Sequence, residues 1–314
     1  MEIKLVSIII PCFNAERWVE EAINSCLEQT YPHLEIIVID DGSTDSSLEI
    51  IKGFQGKVIW ETGVNRGGNY ARNRGFALSS GEYIQYLDSD DYLLPDKIAQ
   101  HLYFLEHVQA DIVYGDVRYQ HHPLALASQG DIEGEIYQEN ATFSGIAGEQ
   151  VDFLESLLAY GCLPPMAYLF KRRVIVNSPG WDESLPAGQD RDFLISLMIN
   201  NPNLKVKYQP RVGVIYRRYG NITVSTSSKP RLVQSFCRVL AKAESSLQKS
   251  DQLSHRYIKA LATSYYRMSQ EYKEDISSSL YKYIIKKYLS LISKLWIKKL
   301  DSFRLTSPIA SQCS

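Results

Sequence analysis

Mostly apolar segments alternate with amphipathic ones over the first hundred residues of the chain. Residues 5–10, 35–40 and 82–87 are mostly apolar, which is typical of strands buried on both faces of a parallel sheet. Between these segments, apolar residues at helical spacing predict helices over residues 18–27 and 69–78, with Asn14 able to cap the first. Alternating strands and helices with right-handed crossovers predict an α/β fold, a doubly wound, mostly parallel sheet with helices on both faces.

Acidic residues follow two of these predicted strands. Asp40 and Asp41 end the second one, and Asp88, Ser89 and Asp90 follow the segment that ends at residue 87. In an open α/β sheet, ligands bind in the crevice beyond the carboxyl ends of the strands, so these acids are predicted to share one crevice. Paired carboxylates suit Mg²⁺ or Mn²⁺, which take one or two carboxylates from protein and other ligands from water and phosphates.

The geometry of the second acidic pair depends on where its strand ends. If the strand continued through residue 90, the alternation of side chains would place Asp88 and Asp90 on the same side, with small Ser89 between them. The alternative is a strand that ends in a solvated turn, because Asp favours turns and Pro95 follows shortly after.

A second acid-rich turn spans residues 180–192 and precedes a predicted helix with Phe193 on its apolar face. Asp190 and Asp192 lie at the start of that helix, where an aspartate often serves as the N-cap. Asp192 is the residue that we assign to this capping role.

Charge divides the 314-residue chain into two parts. Residues 1–228 hold 18 Lys and Arg against 30 Asp and Glu, and residues 229–314 hold 16 against 6. The two parts therefore have net charges of −12 and +10, although the net charge of the whole chain is only −2. We therefore predict two parts, residues 1–228 and a basic helical region of residues 229–314. The five cysteines are scattered, without C-x-x-C spacing, which indicates neither a disulfide framework nor a zinc site.

Several short motifs occur in an order that carries a family resemblance. They are residues 6–14, 39–45, 65–68 with 71–73, 86–91 and 188–193. In this order they resemble the family 2 glycosyltransferases with the GT-A fold, densely over residues 5–115 and more sparsely to about residue 225. The resemblance divides the first part into a nucleotide-sugar half, residues 1–115, and an acceptor half, residues 116–228.

The resemblance also implies roles for particular residues. The turn of Pro11, Cys12 and Phe13 would line the nucleotide base, Asp40 would accept a hydrogen bond from the base edge, and Arg72 would lie against the nucleotide. Asp88 would hold the ribose and a metal-bound water, with Ser89 beside it, and Asp90 would bind the metal. Asp190 would be the general base. The chain departs from the family pattern at Gln189, where Glu is frequent, and at Tyr219, where many members have His.

The implied activity is an inverting, metal-dependent transfer with Mn²⁺ or Mg²⁺. A sugar would move from a nucleoside-diphosphate sugar, with a UDP-sugar favoured, to a hydroxyl of a glycan, a lipid-linked saccharide or a polysaccharide. The alternative is a non-catalytic nucleotide-sugar-binding protein of the same fold. A nucleotidyltransferase is disfavoured because no glycine-rich loop with Lys or Arg follows the first strand. We expect no nucleic-acid partner.

The basic region ends in a segment with two interpretations. Residues 280–300 carry six lysines and no acids. Seven apolar residues share a broad helical face: Leu280, Ile284, Tyr288, Leu291, Ile292, Leu295 and Trp296. Such a helix docks on an anionic membrane surface, or its apolar face packs on the protein or on a second copy. We expect a cytoplasmic protein, which would be peripheral at the inner face of the membrane if this helix docks there. We also expect residues 217–229 to form a lid.

Overall fold

The computed structural model describes residues 4–122, 137–141, 152–219 and 228–306. Nine strands lie in these residues: β1 (Val6–Cys12), β2 (Leu34–Asp40), β3 (Ile59–Thr62), β4 (Tyr83–Tyr86), β5 (Tyr92–Leu93), β6 (Ile112–His122), β7 (Tyr137–Ala141), β8 (Tyr168–Lys171) and β9 (Val206–Tyr219). The helices there are α1 (Val19–Leu27), α2 (Ser47–Gly53), α3 (Gly68–Leu78), α4 (Lys97–His107), α5 (Phe153–Ala159), α6 (Arg172–Val176), α7 (Gln189–Asn200), α8 (Lys229–Lys249), α9 (His255–Glu271) and α10 (Ser278–Thr306).

The strands form one mixed sheet in the order β3-β2-β1-β4-β8-β6-β9-β5, with β7 paired to β6. The first four strands are parallel to one another, and β6 and β9 run in the same direction as they do. Strands β5, β7 and β8 run the opposite way. The α/β class predicted from the sequence is confirmed, and the antiparallel pairings all involve strands of the later part of the sheet.

Helices cover both faces of the sheet, because successive side chains of its central strands point to opposite faces. Ile8 and Ile10 of β1 belong to one buried cluster, and Ile9 belongs to another that extends into the C-terminal helices. Both faces of the strand are therefore buried, which explains the nearly continuous apolar run in its sequence.

The structure decides between the two alternatives for the end of β4 and corrects one prediction, the capping role of Asn14. Strand β4 ends at Tyr86, and a turn follows in which the backbone N–H of Asp91 donates to the carbonyl of Asp88 at 3.1 Å. Strand alternation therefore does not place Asp88 and Asp90, and the turn alternative holds. Asn14 does not cap α1; its φ is 48° and its side-chain oxygen accepts from the backbone N–H of Thr44 at 2.8 Å.

The apolar face predicted on residues 280–300 is largely covered by protein. Ile284 and Leu291 are fully buried in the cluster shared by the C-terminal helices and the sheet. Leu280, Tyr288, Ile292 and Leu295 pack against the same cluster, whereas Trp296 is 63% exposed. Helix α10 makes most of its contacts with α9. The interpretation of this face as packed on protein is therefore correct, and membrane association of the protein stays a prediction.

The opposite charges of the two parts meet in ion pairs. Lys242 of α8 bonds both Asp182 and Asp192 at 2.7 Å, and Arg256 of α9 lies 3.4 Å from Asp152 and 3.3 Å from Glu155. Within the helical region, Glu244 accepts from Lys287 and Lys294. Part of the positive charge of this region thus compensates acids of the preceding part of the chain.

Three predictions stay open after the fold is known. The ends of the predicted lid are corrected, because residues 217–219 belong to β9 and Lys229 begins α8. Its central residues, 220–227, lie outside the described part of the chain, and the side chain of Tyr219 is not described either. The domain boundaries at residues 115 and 228 stay predictions.

Among the described helices, none has the length and apolar character required to cross a membrane.

Candidate active site

A cavity of about 1000 Å³ lies beyond the carboxyl end of β1, between the sheet and the C-terminal helices. The donor wall is our name for the part of its lining formed by residues 11–13, residues 88–90 and Arg72. The acceptor wall is the part formed by residues 159–162, residues 187–191 and the cavity-facing residues of α8 and α9. All but one of the sequence-predicted site residues therefore line the same cavity.

The exception is Asp40, whose carboxylate accepts hydrogen bonds from residues beside its strand. It accepts from the hydroxyl of Thr62 at 2.6 Å and from the backbone N–H of Ser43 at 3.3 Å. Its neighbour Asp41 lines the cavity and accepts from the backbone N–H groups of Arg66 and Gly67 at 2.8 and 2.7 Å. Both acids therefore stabilise turns at the edge of the donor wall through hydrogen bonds. The proposed contact of Asp40 with the nucleotide base stays a prediction.

Pro11 and Cys12 are the last residues of β1 and are buried, whereas Phe13 follows the strand and is 48% exposed. The aromatic ring at position 13 thus lies at a strand end with much of its surface open. A flat apolar ring in a cavity of this kind offers a stacking surface for a nucleotide base.

The charge of Arg72 acts on both walls. It lies in α3, is nearly buried, and donates to Asp88 at 2.6 Å while its guanidinium lies 4.7 Å from the centre of the Trp181 ring. Burial lowers its pKa, but the carboxylates of Asp88 and Asp190 raise it by more. Arg72 is therefore a fixed positive charge close to both the predicted metal turn and the predicted base.

Asp190 lies in the first turn of α7, with its side chain partly buried. Burial raises the pKa of its carboxyl to about 6; Arg72 acts in the opposite direction, and Asp88 adds to the increase. The residue before α7 is Gly188, in the left-handed conformation at φ 69°, so no side chain caps this helix. Asp192 is therefore not the predicted N-cap; its carboxylate bonds Lys242 instead.

Arg217 is a site residue that sequence reasoning missed. Its side chain is only 2% exposed and lies between the rings of Trp18 and Tyr92, 4.6 Å from each ring centre. The guanidinium donates to the carbonyl of Asp90 at 2.9 Å and pairs with Glu21. No local pattern indicates this contact, because the arginine lies at the end of β9, 127 residues after Asp90.

Strand β9 also holds Asp91, the last residue of the acidic turn, which is our name for residues 88–91. The backbone N–H of Arg217 donates to Asp91 at 2.7 Å. Burial raises the pKa of the Asp91 carboxyl well above its usual range, and the charges of Asp90 and Asp88 add to the effect. The charges of Asp88 and Asp90 and the burial of Asp91 therefore all disfavour the ionised form of the Asp91 carboxyl.

The acidic turn fits a divalent metal of the predicted kind. Asp88 and Asp90 both line the cavity, and hard oxygen donors are the ligands that Mn²⁺ and Mg²⁺ prefer. Within residues 4–122, 137–141, 152–219 and 228–306, no group of three or more His, Cys, Asp or Glu is arranged to hold an ion. A metal here would take its remaining ligands from water and from substrate phosphates.

Helix α8 fixes the turn that carries Asp190. Phe236 packs against Gly188 so closely that a β-carbon added there would lie 3.0 Å from its ring. Lys242 bridges Asp182 and Asp192, which flank the turn on either side. Burial raises the pKa of Asp182, but the hydrogen bond from Lys242 is the main effect that lowers it to about 2. The position of the predicted base thus depends on the C-terminal helical region.

The mixed sheet with helices on both faces is that of the GT-A fold, and the comparisons with known proteins agree. A family model described as glycosyl transferase family 2 matches residues 7–170, more than half of the chain, and the chain belongs to that family. A crystal structure of Staphylococcus aureus TarS (residues 1–349) with UDP-GlcNAc has a TM-score of 0.65 at 16% identity, over 93% of this chain and 80% of that one. At that identity, the likeness shows the fold.

Two relatives illustrate how far the sequence similarity extends. A poly(ribitol-phosphate) β-glucosyltransferase of Bacillus spizizenii is 28% identical over 265 residues, which are 82% of this chain and 39% of the relative. An uncharacterized glycosyltransferase of Haemophilus influenzae is 44% identical over 109 residues, which are 33% of this chain and 44% of the relative. The matched segments thus span less than half the length of these relatives.

Proposed function

We propose that the protein is an inverting, metal-dependent glycosyltransferase that moves a sugar from a nucleoside-diphosphate sugar to a hydroxyl of a cell-envelope polysaccharide. The observation that carries the proposal is the placement of Asp190 and the acidic turn of Asp88 and Asp90 on two walls of one cavity, with Arg72 close to both. An inverting displacement requires this separation, because the acceptor attacks from the side opposite the leaving diphosphate.

Asp190 is the proposed general base. An acceptor hydroxyl must lose its proton as it attacks, and a base is most effective when its pKa lies near the working pH. A carboxyl with a pKa of about 6 is largely ionised at neutral pH and is still a better proton acceptor than an ordinary aspartate. Its partly buried position also limits competition from water.

Asp88 and Asp90 would hold Mn²⁺ or Mg²⁺, which would stabilise the negative charge that develops on the leaving diphosphate. Arg72 supplies a second positive charge near the same place, already held by its bond to Asp88. Phe13 would stack on the base of the nucleotide, and Cys12 and Pro11 would form the adjoining surface.

The substrate classes are proposed with the help of the relatives. The Bacillus spizizenii relative is named for poly(ribitol-phosphate), and a Bacillus subtilis relative, 37% identical over 106 residues, is named a putative teichuronic acid biosynthesis glycosyltransferase. TarS was crystallised with UDP-GlcNAc. We therefore favour a UDP-sugar donor and a cell-envelope polymer, or a lipid-linked precursor of one, as the acceptor.

A release assay tests the proposal. The full chain is incubated with a panel of UDP- and GDP-sugars and Mn²⁺, with and without a cell-wall polymer extract, and free nucleoside diphosphate is measured. We expect release from one donor of the panel, stimulated by the acceptor and by Mn²⁺. A protein that binds UDP or GDP in calorimetry but releases nothing from any donor would be the non-catalytic alternative.

A further inference from the structure

The α9 side of the acceptor wall, which we call the α9 wall, carries charge that the proposed chemistry does not use. It consists of Tyr160, Gly161 and Cys162 from the loop after α5, with Arg191 and five residues of α9 and its C-terminal end: Ser264, Arg267, Met268, Glu271 and Tyr272. Helix α9 lies beyond residues 7–170, which the family model matches.

Arg191 gives this wall a buried positive charge. Its guanidinium donates to the carbonyls of Leu157 and Leu158 at 2.7 Å each and to the hydroxyl of Ser264 at 3.0 Å. All three acceptors are neutral, and within the described part of the chain no carboxylate forms an ion pair with it. A buried charge without a counter-ion favours a site that receives an anion.

Arg267 is the accessible group of the wall. It is exposed, makes one long hydrogen bond of 3.5 Å to the carbonyl of Ala159, and lies 5.4 Å from the centre of the Tyr160 ring. In the described residues it has no ion pair, although Glu271 is one turn further along the same helix and also lines the cavity. Most of its five N–H donors are therefore available to a ligand.

The two arginines also act on each other. Burial lowers the pKa of Arg191 to about 10, and the positive charge of Arg267 acts in the same direction. Two like charges that repel across one wall are stabilised by an anion bound near both.

We propose that the α9 wall is an acceptor subsite for a saccharide that carries an anionic group, a phosphate or a carboxylate. Arg267 binds the anion with its planar fork of donors, Arg191 adds a fixed positive charge behind it, and the exposed ring of Tyr160 packs against the sugar. This subsite deepens the proposed function and rests on it, because it places an anionic acceptor on the side of the cavity that carries Asp190.

Binding of small sugars to the full chain tests the subsite without a donor. Glucose 6-phosphate, glucuronate and glucose are titrated by saturation-transfer difference NMR against the wild type, Arg267→Gln and Lys259→Gln. Lys259 is the matched control, an exposed basic residue of α9 that does not line the cavity. Thermal unfolding of each variant checks folding, and Arg267→Gln should leave it nearly unchanged because its one hydrogen bond is long.

We expect both anionic sugars to bind the wild type more tightly than glucose does. The change Arg267→Gln should lower the affinity for both anionic sugars about tenfold, since hydrogen bonds to charged groups are strong. Lys259→Gln should bind them as the wild type does. Equal binding of glucose and glucose 6-phosphate would overturn the proposal. So would anion binding that survives Arg267→Gln and is lost in Arg72→Gln, because the anion would then occupy the nucleotide side. The release assay for nucleoside diphosphate tests the proposed function separately.

Discussion

The two walls of the cavity are built in different ways. The donor wall consists of residues at or just after the ends of strands β1 and β4, together with one arginine from α3, and all of them lie within the first 90 residues. The acceptor wall consists of side chains from a loop and from helices α7, α8 and α9, spread over more than a hundred residues. Donor binding should therefore depend on local turns, whereas catalysis should also depend on long-range packing.

The comparison is tested most strongly at Asp190. The change Asp190→Asn keeps the shape of the side chain but removes its capacity to accept a proton, so we expect transfer to fall by roughly 100- to 10,000-fold. Calorimetry with UDP and Mn²⁺ should give nearly the same affinity as for the wild type. If transfer fell by less than about tenfold, equal to ~1.4 kcal/mol of activation free energy, another group would have to be the base.

The donor wall is tested next at Asp90. The change Asp90→Ala removes a carboxylate that would hold the metal, and we expect the Mn²⁺-dependent part of UDP binding to fall by at least about tenfold, as metal affinity does when a supporting group is lost. UDP binding without metal should change little. The assignment of Asp90 as a ligand fails if Mn²⁺ strengthens UDP binding equally in the variant and in the wild type.

Lys242 tests whether the helical region acts on catalysis from a distance. The change Lys242→Met leaves the partly buried carboxylate of Asp182 and the buried carboxylate of Asp192 without their common cation, beside the turn of Asp190. We expect unfolding free energy to fall by about 1–3 kcal/mol and transfer to fall more than UDP affinity does. Lys249→Met, at the exposed end of the same helix, is the control. Equal losses of transfer and UDP affinity would mean that the two walls are not separable.

The smallest expected effect is the pH dependence of transfer. Since burial raises the pKa of Asp190 to about 6, the base becomes protonated as the pH falls through that value. The rate should therefore be nearly constant above pH 7 and fall about tenfold per pH unit below about pH 6. A profile that stays flat down to pH 4.5 would indicate that the carboxyl has an ordinary pKa or is not the base.

The same contrast explains how much the sequence could predict. Strands β1, β2 and β4, and the acids at the ends of β2 and β4, could be recognised because apolar runs and turn residues are local signals. The role of α10 could not be decided, since the same apolar face suits a membrane or a protein partner, and only the packing of Ile284 and Leu291 distinguishes the two.

The missed contacts have a common physical reason. Arg217 reaches the acidic turn, and Lys242 reaches Asp192, across a large separation in sequence. Each of these long side chains is unremarkable in its own segment, where a basic residue usually indicates a solvated position. The capping role given to Asp192 failed because α7 begins earlier, at Gln189, and the carboxylate bonds a lysine of a later helix.

The bond between Arg217 and Asp91 has a consequence for how the protein is made. The acidic turn leaves the ribosome long before the strand that fixes it, since the two residues are 126 positions apart. At ~5–20 residues per second, the turn waits roughly 6–25 s for its partner strand. Strand β5, which pairs with β9 in the sheet, waits equally long. The nascent chain therefore carries the whole donor wall well before β9 fixes the acidic turn, and during that interval Asp91 lacks the backbone partner that it has in the folded protein.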